Sequence, residues 1–370
     1  HPTMIFFSSD FQERYEPFCA DFGPTNLGVL HEFCAFLQRK LVEPRLQGKK
    51  LVYYTDEDEA IRTNCAFLLA AFLLIKLKYN PVEAWTPFAC IHPSPFKTYR
   101  DATYCPQDYH LTISQCLEGL QRGLQSGYYV PQKFDLDDYM FHDHPQNADM
   151  HMLSPKFCAF RGPSGQRIKL APGCYTFTPS HYHSIFKSKG VKAVIRLNEP
   201  TTYNAKDFEK AGIKHFDLYF DDCTVPNTDI IRRFIDIVDS VDGAVAVHCK
   251  AGLGRTGTLI AIYWMMFHQW TASECIGWLR IVRPGSIIGP QQQFLHDYEN
   301  RLKGKAASNG KKVSAEESAK LAAQVANGMN VKAVQRTTQG DKGLTEKPAD
   351  KKATGSALQA VRSSRQDKVN

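Results

Sequence analysis

Cys249 and Arg255 stand six positions apart, joined by Lys250-Ala251-Gly252-Leu253-Gly254. A short β-prone run, Ala244 to Val247, leads into them, and an apolar stretch suited to a buried helix, Thr258 to Phe267, follows. Strand, tight loop and helix together build an anion cradle. Glycine lets successive backbone N–H groups turn inward into a concave nest, and the positive end of the helix dipole falls at the same place. The planar fork of Arg255 can hold two phosphate oxygens at once, which a lysine ammonium cannot do. Cys249 sits at the floor of this positive field, which favours thiolate over thiol. Thr256 can donate its hydroxyl to the sulfur, and His248 is read as orienting the loop, with no part in proton transfer. A thiolate beneath a bound phosphate ester attacks phosphorus in line and forms a thiophosphoryl-enzyme, which water then hydrolyses. A structural cysteine beside a glycine-rich turn would leave Arg255 and the glycines at 252, 254 and 257 unexplained.

Cleaving the P–O bond leaves an alkoxide, so a carboxylic acid must supply a proton. The run Tyr219-Phe220-Asp221-Asp222-Cys223-Thr224-Val225-Pro226 has the turn residues of a loop and precedes an apolar helical stretch, Ile230 to Val238. Asp221 and Asp222 are the candidates, and a helix-capping turn with solvated carboxylates is the plainer alternative.

A second segment repeats this layout. Leu51-Val-Tyr-Tyr leads through Thr55-Asp56-Glu57-Asp58-Glu59 to Arg62-Thr63, and an apolar helix follows. Trp85 and Trp278 each lie 23 positions after the arginine of their own segment. Counting back without gaps places Asp56 opposite Cys249 and Thr55 opposite His248, so this copy has acids where a nucleophile would stand. Carboxylates repel phosphate, and the copy reads as a scaffold or substrate-binding wall.

Composition bounds the rest. The chain has 370 residues, 43% hydrophobic and 22% charged, the proportions of a soluble protein with a real core. Its longest apolar run, Cys65 to Ile75, is eleven residues, short of the roughly 20 that a membrane-spanning helix needs. No basic, apolar, then small-residue leader follows His1. The net charge of +7 is uneven: Lys303 to Asn370 carries 14 Lys and Arg against 6 Asp and Glu, leaving the first 302 residues at −1. That stretch has no aromatic residue and no cysteine, and it reads as a disordered basic tail, with a short helix around Glu316 to Val325. The eleven cysteines include no C-x-x-C pair, so neither a zinc ribbon nor a thioredoxin-type site is expected. No metal and no cofactor is expected.

The run from His248 to Gly257 resembles the signature of cysteine-dependent phosphatases. The wider run His248-Cys-Lys-Ala-Gly-Leu-Gly-Arg-Thr-Gly-Thr-Leu-Ile260 is similar to the mitotic-exit dual-specificity phosphatases, the cell division cycle protein fourteen family. Arg283-Pro-Gly-Ser-Ile-Ile-Gly-Pro-Gln-Gln-Gln-Phe294, Ala20-Asp-Phe-Gly-Pro-Thr-Asn-Leu27 and Phe134-Asp-Leu-Asp-Asp-Tyr139 resemble the same family, so the likeness covers roughly residues 5 to 298. It implies an α/β protein of two tandem dual-specificity-phosphatase-like domains, the N-terminal one lacking the catalytic cysteine. The expected boundaries are 1–130 for that domain, 131–155 for an acidic connector, 156–302 for the catalytic domain and 303–370 for the tail.

The resemblance also implies roles. The general acid carries over to Asp222, with Asp221 next. The family usually has glycine after this acid; Cys223 stands here instead, read as a packed small residue or as a disulfide partner that protects Cys249 from oxidation. Gln291 or Gln292 would position the attacking water, unless both are only a polar helix start. In the connector, Asp143 and Asp149, with Asp138 third, would form an acidic groove for a basic substrate residue, although Met140 occupies one acidic family position. A solvated acidic linker is the alternative. The expected partners are phosphorylated proteins, favouring phosphoserine followed by Pro with a basic residue downstream, and phosphotyrosine; no nucleic acid, membrane span or oligomeric state is assigned. Nucleus and cytoplasm, with spindle pole or basal body, are the implied locations. Two rivals stay open: a phosphoinositide phosphatase, whose loop usually carries a second lysine where this chain has Leu253, and a phospho-binding module without turnover.

Overall fold

The computed structural model describes residues 3–9, 14–171 and 174–309. The N-terminal half runs β1 (Met4–Phe7), α1 (Leu27–Val42), β2 (Lys50–Tyr53), α2 (Glu59–Lys76), α3 (Pro81–Ala89) and α4 (Ile113–Gln125). β1 and β2 pair in parallel, with Ile5 opposite Leu51. Local chemistry sets the helix starts. Asn26 caps α1 by accepting from the Val29 amide, Asp58 caps α2 through the amides of Ala60 and Ile61, and Thr112 and Gln115 form a capping box on α4. The apolar run from Cys65 to Ile75 lies within α2, most of it buried in the core.

The second half continues α5 (Leu136–Asp143), β3 (Met150–Met152), β4 (Phe157–Phe160), β5 (Lys169–Ala171), β6 (Cys174–Tyr175), α6 (Pro179–Ser188), β7 (Val191–Arg196), α7 (Lys206–Glu209), β8 (Lys214–Asp217), α8 (Thr228–Asp239), β9 (Ala244–His248), α9 (Gly254–Phe267), α10 (Ala272–Val282) and α11 (Pro290–Asn309). A five-stranded sheet has the order β3-β4-β9-β7-β8, parallel except for β3. β9 is central and buried at every position, as a parallel strand covered on both faces should be. Its carboxyl end delivers His248 and Cys249 to the rim of the sheet, where open α/β sheets place their ligands. Both halves thus present strand, loop, helix and a second helix in the same order, β2–α2–α3 and β9–α9–α10, with Trp85 in α3 and Trp278 in α10.

The halves meet backbone to backbone. A Cβ added at Gly119 of α4 would lie 2.5 Å from the Trp278 nitrogen, and one at Gly277 would lie 2.7 Å from the Gln115 carbonyl oxygen. Polar ties join the halves as well: Gln115 Nε2 donates to Ser273 Oγ at 3.1 Å, Arg122 Nη2 to the His268 carbonyl at 2.9 Å, and the Gly289 amide to Asp101 Oδ2 at 2.7 Å. One hydrophobic core runs through both halves.

Two boundaries differ from the sequence reading. The expected connector contains β3, which joins the catalytic sheet by pairing antiparallel with β4. α11 continues through residues 303–309, beyond the expected domain end. The stretch Glu316 to Val325 lies outside the described residues. No helix among the described residues is long and apolar enough to cross a membrane.

Candidate active site

The loop from β9 to α9 is held open from outside by its own carbonyls. Arg283, fully buried, donates from Nε to the Gly252 carbonyl at 2.8 Å and from Nη2 to the Ala251 carbonyl at 2.8 Å. Pulling those carbonyls outward turns the amides inward. Among the described residues, no acceptor takes a hydrogen bond from the amides of Lys250 to Gly254. Buried or half-buried amides need partners, and an anion's oxygens would supply them. Gly252 is required at its place: its φ is +69°, and a Cβ there would come within 2.0 Å of the Phe160 carbonyl oxygen.

Cys249 is buried at the floor of a cavity of about 320 Å³, which Lys250, Ala251, Leu253 and Gly254 help to line. Arg255 is buried in the first turn of α9. Its Nη1 donates to the carbonyls of Phe220 (2.7 Å) and Leu197 (3.2 Å), its Nη2 lies 3.1 Å from Asp222 Oδ1, and its Nε is buried with no hydrogen-bond partner. Thr256 is fully buried and its Oγ1 also lacks a partner.

His248 is enclosed, and burial lowers its pKa to about 3, so the ring is neutral across the ordinary pH range. Its Nδ1–H donates to the Cys249 carbonyl at 2.9 Å, leaving Nε2 to accept from Tyr203 Oη at 2.7 Å. Tyr203 Oη in turn lies 2.8 Å from Nε2 of His215, a ring that burial also keeps neutral, with its pKa lowered to about 4. A chain from β8 through Tyr203 therefore fixes the loop's first peptide. The sequence reading gave His248 this orienting place but missed Tyr203 and His215, whose separation along the chain carries no local signal.

The two candidate acids part company. Asp221 accepts from Tyr219 Oη at 2.7 Å, whereas Asp222, half-exposed, lines the cavity and reaches Arg255. Cys223 follows with φ +58°, a left-handed conformation that costs a β-carbon residue roughly 1–2 kcal/mol and that glycine adopts freely. It shares the cavity with Cys249, Cys19 and Cys105 as a free thiol, and burial, then Asp222, pushes its pKa up, which lowers its thiolate fraction.

The glutamines are internal. Gln291 donates from Nε2 to the Thr224 carbonyl at 3.0 Å and accepts at Oε1 from the Ile288 amide at 3.1 Å, which ties the acid loop to the start of α11. Gln292 bonds Arg280 through Oε1 and Gly289 through Nε2. Neither lines the cavity, and Gln292 is a buried packing group.

The acidic groove is not assembled as expected. Asp138 pairs with Lys189 at 2.6 Å, and Asp143 is buried with Oδ1 3.0 Å from His151 Nε2; neither lines the Cys249 cavity. Asp149 does line it, but its carboxylate is 2.9 Å from Arg283 Nη2. Asp143 and Asp149 are buried and each faces an internal ring or cation, because burying a carboxylate without a partner is costly, while the Asp138–Lys189 pair is partly exposed. Met140, at the remaining position, is exposed.

The β2–α2 loop has no cysteine between Tyr53 and Glu59. Asp58 there is committed to capping, and the amides of Ile61 and Ala60 hold its carboxyl below the usual range. No group of three or more His, Cys, Asp or Glu able to hold a metal occurs among the described residues.

Two family models match in tandem: the N-terminal half of dual specificity protein phosphatases over residues 1–123, and the dual specificity phosphatase catalytic domain over residues 176–301. Human dual specificity protein phosphatase CDC14A is 43% identical over 317 residues, covering 82% of this chain and 53% of that protein. The tyrosine-protein phosphatase CDC14 homolog of Schizosaccharomyces pombe is 38% identical over 307 residues, covering 80% of this chain and 56% of that protein. The chain thus spans little more than half the length of these relatives. Two domain models in the family's order, and relatives of this identity along four fifths of the chain, place it in the CDC14 family of dual-specificity protein phosphatases.

Proposed function

We propose that this chain hydrolyses phosphate monoesters on proteins, at phosphoserine and phosphothreonine and at phosphotyrosine, through a phosphocysteine intermediate. One observation carries this: Cys249 is buried beneath loop amides that have no acceptor of their own, and Arg255, buried with its Nε unpartnered, reaches Asp222 on the wall of the same cavity. The phosphoryl oxygens take the amides and the Nε and Nη2 edge of Arg255. The Arg255–Asp222 contact opens as they bind; the freed, solvent-exposed carboxylate takes up a proton from water and passes it to the departing oxygen. Cys249 attacks phosphorus as the P–O bond breaks; water then attacks phosphorus, the S–P bond breaks, and inorganic phosphate leaves. Thr256 Oγ1 is free to donate to the sulfur in the second step. His248, neutral, orients the loop. The N-terminal domain, with acids at the equivalent loop, takes no part in the chemistry and supplies a wall of the cleft through Phe18 and Ala102.

That wall supports a preference for Pro after the phosphoserine. Phe18, Ala102 and Leu253 form a buried apolar cluster, with Ala251 and Ile288 packed against it, and the cavity opens onto it. In cell terms, the resemblance points to cell-cycle, cytokinesis or cilium targets in nucleus and cytoplasm, at spindle pole or basal body. A single panel tests the reading, comparing wild type and Asp222→Ala on phosphoserine-Pro peptide, phosphoserine-Ala peptide and p-nitrophenyl phosphate. Wild type is expected to favour Pro by about tenfold in kcat/KM, the worth of roughly 1.4 kcal/mol of apolar contact. Asp222→Ala is expected to lose about 10²–10⁴-fold on the peptides and far less on the aryl ester, whose leaving group needs no proton. Equal rates with and without Pro would refute the specificity, and an equal loss on all three substrates would remove Asp222 as the acid.

A further inference from the structure

Arg161 follows β4 and lies against the phosphate loop. Its amide donates to the Asp149 carbonyl at 3.0 Å, the next amide, that of Gly162, donates to the Lys250 carbonyl at 3.1 Å, and a Cβ at Gly252 would lie 3.2 Å from the Arg161 nitrogen. The residue is only 7% exposed, yet it lines the Cys249 cavity. Its guanidinium makes no ion pair or hydrogen bond within the described residues, and Nη2 is buried without a partner. Burying an arginine with its donors unmet is costly, so a largely buried guanidinium without a protein partner, on a residue of the cavity wall, needs an explanation from what the cavity holds.

The other charges in the cavity sharpen the point. Asp222 is matched by Arg255 at 3.1 Å, and Asp149 by Arg283 at 2.9 Å. Lys250 is the remaining lining charge; it is exposed and has no carboxylate within ion-pair distance among the described residues. The cavity therefore carries two cations beyond those that its own carboxylates neutralise. One phosphoryl group occupies the Cys249 cradle. Resting on the phosphatase reading above, we propose that Arg161 binds a second anionic group of the substrate peptide, a carboxylate or a second phosphate on a residue near the phosphoserine. The planar fork suits either oxyanion. The preference of this chain is then for an acidic or phosphorylated neighbour of the phosphoserine.

The experiment reads binding, so it does not depend on turnover. Full-length chain carrying Cys249→Ser is titrated with phosphoserine-Pro peptides holding Gln, Glu or a second phosphoserine at each position from two before to three after the phosphoserine. The same titrations use the double variants with Arg161→Gln and Arg161→Lys. The expected result is a tenfold or greater gain in affinity for Glu or phosphoserine over Gln at one position or more. Arg161→Gln abolishes that ratio and Arg161→Lys keeps part of it. The Glu and phosphoserine arms tell the two anion sources apart. Binding with no preference, or a preference that survives Arg161→Gln, overturns the proposal alone. Tighter binding of a soluble bisphosphorylated inositol than of any doubly anionic peptide also overturns it. No binding of any phosphopeptide overturns the phosphoprotein reading and this proposal with it. Thermal melting of each variant shows that it is folded.

Discussion

Cys249→Ser is expected to lower kcat on every phosphate ester by at least about 10⁴-fold while phosphopeptides still bind, with dissociation constants near the wild-type KM for slow substrates. A serine hydroxyl is isosteric enough to leave the cradle standing. Its loop amides, Arg255 and Arg283 are untouched, and Arg283 holds the Ala251 and Gly252 carbonyls whatever stands at position 249. What disappears is the ionised nucleophile. His248 offers no rescue as a general base toward the serine, because its Nδ1–H is committed to the Cys249 carbonyl and its Nε2 to Tyr203. Stopped-flow or discontinuous phosphate-release assays, paired with calorimetric titration of the same peptide, separate the two effects. A phospho-binding module without turnover would instead give the same null rate before and after the change.

Arg255→Lys is expected to cost about 10³-fold in kcat/KM, on the order of 4 kcal/mol, and to weaken competitive inhibition by inorganic phosphate or tungstate by tenfold or more. Charge is conserved, so a purely electrostatic role would leave most of the activity. The geometry argues for more than charge. Nη1 of Arg255 holds the carbonyls of Leu197 and Phe220, and Nη2 meets Asp222, so one side chain spans the ends of β7 and the acid loop. A lysine ammonium cannot keep both carbonyls and present a forked edge to phosphate. The acid loop loses its register as well, which is why both kcat and KM are expected to move. Loss confined to KM would mean that Arg255 serves binding alone.

How much of this could be read from the chain follows from where each partner lies. The strand, loop and helix around Cys249 are contiguous, so type and spacing alone were enough to expect a buried cysteine, a loop of open amides and an arginine at one place. The repeat at Leu51 to Arg62 was legible for the same reason, and α2 and β2 lie where it required. The acidic groove was different. Asp138 meets Lys189 51 positions away, and Asp149 meets Arg283 134 positions away. A carboxylate's partner across the fold leaves no mark on its own neighbourhood, so these residues read as unpaired. Gln292 misled likewise, since its Arg280 partner is brought in only by the turn between α10 and α11. Arg161 escaped notice because a lone arginine after a strand is ordinary in a sequence; only its burial against the loop makes it unusual. Cys223 was legible as a departure, and its positive φ explains why glycine would suit that place.

The most direct measurement is rapid acid quench of wild-type chain turning over a phosphopeptide, followed by peptide mass spectrometry within the first turnover. A phosphoryl group on the sulfur of Cys249, appearing in a burst and lost on longer incubation, is the predicted result. Full turnover with Cys249 never phosphorylated, or a phosphoryl group found on another residue at the kinetically competent rate, would contradict it.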